Sequence, residues 1–235
     1  MYKPLLAILI VALAGVDARA ASLITNGSFE TTSTPVPAGG FNLYSPGQTG
    51  LTGWTIVGAP GTDIGVVSGT YTDLGISFPA EDGSNWVDLT GLVSNSTEGV
   101  AQTLATKVGD SYTLTFWVGN VDSPSTGYGV TSTVDVSANA TSLGAFTNSC
   151  TTCTKTQAWQ MFTTMFTATS ASTTLQFLNG DPPSDNTNGL DNLSLVDNGP
   201  AGVTPEPSSI VLLGSGLLGL VGWLCRTRSS VKSEN

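Results

Sequence analysis

The stretch SYTLTFWVGN, residues 111 to 120, alternates with period two. Tyr112, Leu114, Phe116 and Val118 fall on one side, and Thr113, Thr115 and Trp117 on the other. That period belongs to a strand with one face in a core, and it cannot be laid on a helix without scattering the apolar residues. The pattern recurs in STVDVSA (Val134, Val136), in TTLQFLNG (Leu175, Phe177) and in NWVDLTG. In the last, Val87 and Leu89 point inward while Trp86 and Asp88 point away. Short alternating runs between Gly, Pro, Asn and Asp clusters predict an all-β antiparallel sandwich of the jelly-roll kind. Two sheets of four or five strands around one core fit the length available.

That length is set by the two ends. Lys3, the apolar run from Leu5 to Val16 and Ala18-Arg19-Ala20 read as a secretory signal peptide over residues 1–20. At the other end, the uncharged run from Ile210 to Cys225 makes a helix of about 24 Å, short of a bilayer core of about 30 Å. Pro205, Glu206 and Pro207 precede this run and Arg226 and Arg228 follow it. A brief, Gly-studded hydrophobic helix with a fixed motif before it and arginines after it is the form of an enzyme-read sorting signal. The expected layout is a domain over 21–198, a linker over 199–204, a sorting and anchor segment over 205–228 and a basic, polar cytoplasmic end over 229–235.

From Ala21 to Val203 two lysines, Lys107 and Lys155, face fourteen Asp and Glu residues, a net charge of −12. Such a field repels phosphate backbones, so nucleic acid is excluded as a partner. The chain has no histidine, which removes Ser-His-Asp and Cys-His catalysis and imidazole-based metal sites. Cys150 and Cys153 enclose two threonines. In an exported protein that pair is expected as a disulfide pinning a tight loop, and neither a βαβ redox setting nor two further zinc ligands accompanies it. Asn26, Asn95, Asn139 and Asn192 match the N-x-S/T pattern by coincidence of composition.

The motif Pro205-Glu206-Pro207-Ser208-Ser209, the apolar run and the Arg-Thr-Arg end resemble the PEP-CTERM sorting domain of Gram-negative bacteria. The resemblance implies processing by an exosortase, transient anchoring at the inner membrane, and delivery to the cell envelope or beyond. The body resembles the choice-of-anchor C family through LITNGSFE, LTGWTIVG, EDGSNWVDLTG, GVAQTLATKVGDSYTLTFWVGN, FTATSASTTLQFLNG and GLDNLSLVD. Those bacterial surface domains are similar to plant cell-wall proteins with galactose-binding-like jelly rolls, and carbohydrate or cell-wall association is what the likeness implies. The NGDPPSDNTNGLDN loop and the Cys150–Cys153 insertion depart from the family pattern.

First and last strands of a jelly roll commonly lie side by side, which would bring Glu30 towards Asp191. The likeness to carbohydrate-binding modules implies a structural Ca²⁺ at those two carboxylates, with Asn26 or Asn192 as a further oxygen. The alternative is that both simply accept backbone hydrogen bonds. For a sugar, Trp86 and Trp117 are the candidate stacking platform, with Asp88, Asn120 and Tyr128 as polar contacts. The alternative is a loop covering that face, which makes both tryptophans ordinary core; Trp54 and Trp159 are read as core. Together these features describe a noncatalytic exported protein that binds polysaccharide. A matrix protein without a discrete ligand and a glycan-active hydrolase are the other readings.

Overall fold

The computed structural model describes residues 21–92, 98–183 and 185–202. The expected leader, residues 203 and 204 of the expected linker, and the whole sorting segment with its polar end lie outside them. The chain divides into a unit ending at Asn198 and a second from Gly199.

Strands account for the order of the body: β1 (Phe41–Tyr44), β2 (Thr55–Val57), β3 (Ile64–Ser68), β4 (Thr72–Asp73), β5 (Ile76–Ser77), β6 (Asn85–Asp88) and β7 (Gly99–Ala105) come first. Then follow β8 (Asp110–Asn120), β9 (Ser132–Ala138), β10 (Thr141–Asn148), β11 (Ala158–Thr167), β12 (Ser172–Asn179) and β13 (Gly189–Pro200). One sheet has six strands in the order β1-β3-β6-β13-β8-β11, and the other has five in the order β10-β9-β12-β7-β2. The result is a jelly-roll sandwich, with one sheet a strand larger than expected. Hairpin β4-β5 stands apart from both sheets.

The alternation read from the sequence holds residue by residue. In β8, Tyr112, Leu114, Phe116 and Val118 are buried while Thr113, Thr115 and Trp117 remain partly exposed. The inward residues meet Val134, Val136, Leu175 and Phe177 of the facing sheet in one cluster. Phe116 and Phe177 touch across the sandwich with ring centroids 5.6 Å apart, edge to face. Each such ring fully withdrawn from water contributes roughly 1.5–3 kcal/mol. Trp54 belongs to this core as read from the sequence, its ring 5.3 Å from that of Phe29.

The first described segment runs beside the last strand: Leu23 N donates to Leu195 O at 2.8 Å and Leu193 N to Gly27 O at 3.0 Å. The terminal stretches are therefore neighbours, as the jelly roll requires.

The opposite, outward face of the six-stranded sheet is covered in part by a flap from Gly69 to Ser84. Gly69 N donates to Ser84 O at 2.7 Å and closes its base. At its tip β4 and β5 pair through Leu74 and Gly75, both at positive φ (48° and 78°), the twist a two-residue hairpin needs. Ser77 N donates to Lys155 O at 3.0 Å, and Gln157 N to Ser77 O at 2.9 Å, so the flap is fastened to the strand entering β11. Beneath it lies a second apolar cluster of Val67, Ile76, Phe78, Trp86 and Val121, with Phe41, Tyr71, Ala80, Tyr128 and Trp159 packed around it.

Candidate functional site

The flap does not fill the face it covers. Between it and the strands β1, β3 and β6 lies a half-open cavity of about 310 Å³. Phe41, Leu43 and Val67 wall it from the sheet, Tyr71 and Phe78 from the flap, and Thr126 and Tyr128 from the loop after β8. Asn186 and Thr187 close one end. Asp73 and Asp88 are the only charged side chains lining it among the described residues. The walls hold one another in place: Phe41 and Tyr71 meet edge to face at 5.8 Å, and Phe78 and Tyr128 at 5.1 Å. The Tyr128 hydroxyl donates to Asp73 Oδ2 in a short hydrogen bond that joins the loop to the flap.

Asp88 ends β6 at the floor. Its Oδ1 accepts Thr90 N at 3.1 Å, Thr90 Oγ1 at 2.8 Å and Asn188 N at 3.1 Å. Burial nevertheless pushes its pKa up to about 6, against those three donors, with a smaller upward push from Glu98. Burial and the neighbouring carboxylates Asp73 and Asp88 also raise Tyr71 above the usual phenol range, and Tyr128 is raised by burial and its bond to Asp73. Both hydroxyls stay protonated at neutral pH.

Three of the five residues expected at a sugar site, Trp86, Asp88 and Tyr128, therefore meet in one cavity. Trp86 requires a correction as a platform. Its ring is 1% exposed, wedged between Phe78 at 6.2 Å and Trp159 at 6.0 Å. Its Nε1 donates to Phe78 O at 3.1 Å. It faces away from the central core, as its strand parity demands, but the flap covers it; it is the cavity's foundation. Trp159, read as core, is partly buried in this outer cluster instead: its Nε1 donates to Pro79 O at 2.9 Å. Its ring lies over Gly119 and Gly189, where a Cβ would approach within 2.9 and 3.0 Å.

Trp117 and Asn120 do not join the site. Trp117 stands half-buried on the outward face of β8, opposite exposed Met161 of β11. Asn120 is fully buried and committed, its Nδ2 donating to Val130 O at 3.1 Å and Cys150 O at 3.3 Å, while Oδ1 accepts Ser132 Oγ at 3.0 Å. Both amide hydrogens are spent and the side chain is withdrawn from the surface, so it is not presented to a ligand. The residues that sequence reasoning missed are Phe41, Tyr71, Asp73 and Phe78. The signal was present in TYTDLGISF, a hairpin turn flanked by aromatic residues.

Glu30 and Asp191 are drawn to one place, the loop from Glu81 to Asn85, and each is occupied there. Glu30 Oε1 accepts Ser84 N at 2.7 Å and Asn85 N at 2.8 Å. Asp191 Oδ2 accepts Glu81 N at 2.9 Å and Asp82 N at 3.0 Å, and its Oδ1 accepts Asn192 N at 2.7 Å. Gly83, at φ 73°, lets the loop wrap Glu30, where a Cβ would fall 2.5 Å from Oε1. Asn26 is also used, binding Thr31 and Thr52 through its amide. This arrangement does not fit the expected calcium site: amide donors occupy the carboxylates, and no group of three or more Asp, Glu, His or Cys ligands forms among the described residues. Backbone acceptance, the other reading of the pair, is what the geometry shows.

The expected bond between Cys150 and Cys153 is not formed in this structure. Both are thiols, with Cys153 Sγ donating to Cys150 O at 3.0 Å. Burial and its partner thiol raise Cys153 to about 11. Among the described residues no helix is long and apolar enough to cross a membrane.

Comparison with known proteins adds to this at the C-terminal end of the chain and over its body. Residues 203–228 match a PEP-CTERM protein-sorting motif, which implies export to the cell envelope or surface. No curated protein matches. Among solved structures, the Stig cyclase Fisc from Fischerella sp. TAU, in complex with (3Z)-3-(1-methyl-2-pyrrolidinylidene)-3H-indole, is 21% identical. The match covers 77% of this chain and 100% of that one, with a TM-score of 0.53. A cyclase from the same organism in complex with 4-(1H-indol-3-yl)butan-2-one is 20% identical over 77% and 99% of the two chains, with a TM-score of 0.51. A CBM4 structure is 16% identical over 74% and 99%, with a TM-score of 0.37. The model matching the body bears a different label from choice-of-anchor C. Over residues 22–195 it is the model described as protein of unknown function (DUF642), and the chain belongs to that family.

Proposed function

We propose that this is an exported, noncatalytic envelope or matrix protein, sorted by an exosortase, whose outer-face cavity holds a saccharide unit of a polysaccharide. The observation that carries the reading is the cavity itself. Its 310 Å³ falls at the small end of ligand pockets, which typically span about 300–1,000 Å³. Aromatic faces beside carboxylate and amide oxygens suit a pyranose, which is apolar on its face and hydroxylated at its edge. Export would also place Cys150 and Cys153 where oxidation joins them.

A hydrolase would draw on the same pocket, since Asp73 and Asp88 both line it and a glycosidase uses two carboxylates. Against this, Asp73 is held by the Tyr128 hydroxyl and Asp88 by three donors. The fold is shared with cyclases whose bound ligands are indoles, so an indole is the appropriate non-saccharide control. Glycan-array binding by the purified protein tests the reading. Retention of a glycan that is lost in Tyr71→Ala, with the melting midpoint little changed, supports it. Binding of the indole ketone with no glycan retained would overturn it, and reducing-sugar release would turn it into an enzyme.

A further inference from the structure

We propose that the cavity selects an ammonium-bearing sugar, a hexosamine with a free amino group, over neutral sugars, because aromatic side chains and two carboxylates line a space that no cation of the described residues lines. The inference rests on the saccharide reading of the same pocket and goes on to name the class.

The charge balance of the site is the first ground. Asp73 and Asp88 are the cavity's charged side chains among the described residues. The body's two lysines are elsewhere: Lys107 Nζ pairs with Asp197 at 3.0 Å and Asp110 at 3.6 Å, and Lys155 does not line the cavity. Further carboxylates stand behind Asp88, since Asp185, Asp181 and Glu98 all interact with it electrostatically, as do the neutral phenols Tyr71 and Tyr128. Among the described residues, the ionisable groups that act on Asp88 are acids and phenols, and none is a cation. A bound cation would relieve the repulsion that a neutral hexose leaves in place.

The walls are the second ground. Phe41, Tyr71, Phe78 and Tyr128 present rings around the same space. Ring faces attract ammonium groups, more strongly where water is excluded. An N-acetylated sugar offers neither the charge nor the three donors of –NH₃⁺, and its acetyl group adds bulk in a cavity of about 310 Å³. With Asp88 titrating at about 6, the pairing strengthens as pH rises through that value and weakens again when the amine loses its proton.

Calorimetric titration of the full-length protein with methyl glucosaminide, methyl N-acetylglucosaminide and methyl glucoside, at pH 7 and pH 5, tests the proposal. The amino sugar is expected to bind at least about tenfold more tightly than the other two at pH 7, equivalent to about 1.4 kcal/mol. That preference should shrink at pH 5. Asp88→Asn, which keeps an oxygen for Thr90 and Asn188, should reduce the amino sugar to the level of the glucoside. Asp73→Asn, on the flap, should do so in part and guards against a folding defect in the first variant. Equal binding of the three sugars would overturn this inference while leaving the saccharide pocket standing. Binding of none of them, with glycan retention absent as well, would remove both.

Discussion

The two faces of the six-stranded sheet are built on different terms. Inward, β8, β6 and β13 present aliphatic and aromatic side chains to another sheet, in one apolar cluster. Outward, β6 presents Trp86 and Asp88 to a flap and two loops, and the rings there spend their N–H and O–H groups on carbonyls and carboxylates. Two pleated surfaces interdigitate to near-crystalline density. A hairpin laid over a pleated surface meets it unevenly and leaves a hollow. The site lies where the packing partner is irregular.

The largest effects should separate the two faces. Phe116→Ala removes a ring that touches Phe146, Phe162 and Phe177 at 5.1, 6.0 and 5.6 Å, and should cost about 4 kcal/mol in urea unfolding. Trp86→Ala should cost about 3 kcal/mol, since the flap can settle, and should abolish ligand binding while the β-sheet circular dichroism persists. If the sheet signal goes with Trp86, the faces are one core and the comparison fails.

Next comes pH. Burial raises Asp88 to about 6, Asp185 to about 7, and Asp181 and Asp191 to about 8. The folded state then holds protons that the unfolded chain releases near pH 4. Stability from these groups is full below that value and is lost as pH rises from about 4 to 8. The unfolding midpoint should therefore be higher at pH 5 than at pH 8. Asp181→Asn keeps the bond from Thr133 N to Oδ1 at 2.6 Å and replaces Oδ2, which has no partner. It should recover about 1–2 kcal/mol at pH 8; an unchanged pH slope would count against a buried proton there. Smallest is Tyr128→Phe, which removes the bond to Asp73 and should cost about 1 kcal/mol. Its effect on ligand affinity should exceed that on stability, and the reverse would make the bond a mere brace.

What the sequence made legible follows the same division. Period two is a local property, so β8, β9 and β12 and the parity of Trp86 against Val87 could be read directly. What covers a sheet's second face comes from segments distant in the chain. Phe78 packs against Tyr128, fifty residues on, and no pattern within a strand announces that. Asp88 and Tyr128 were found because each adjoins a recognisable strand. Tyr71 and Asp73 sit on a hairpin outside both sheets, where alternation carries no information about burial. Asn120 misled because a polar residue at a strand end looks available until its three partners are known.

The strand nearest the C-terminus of the body, β13, lies between β6 and β8, in the middle of its sheet. A chain emerging N-terminus first from a narrow channel would thus present two half-sheets with raw edges until Gly189 and its successors arrive. Assembly must wait for nearly the whole polypeptide, through contacts of long sequence separation that form slowly. The architecture makes the last strand the keystone that joins the two halves of its sheet.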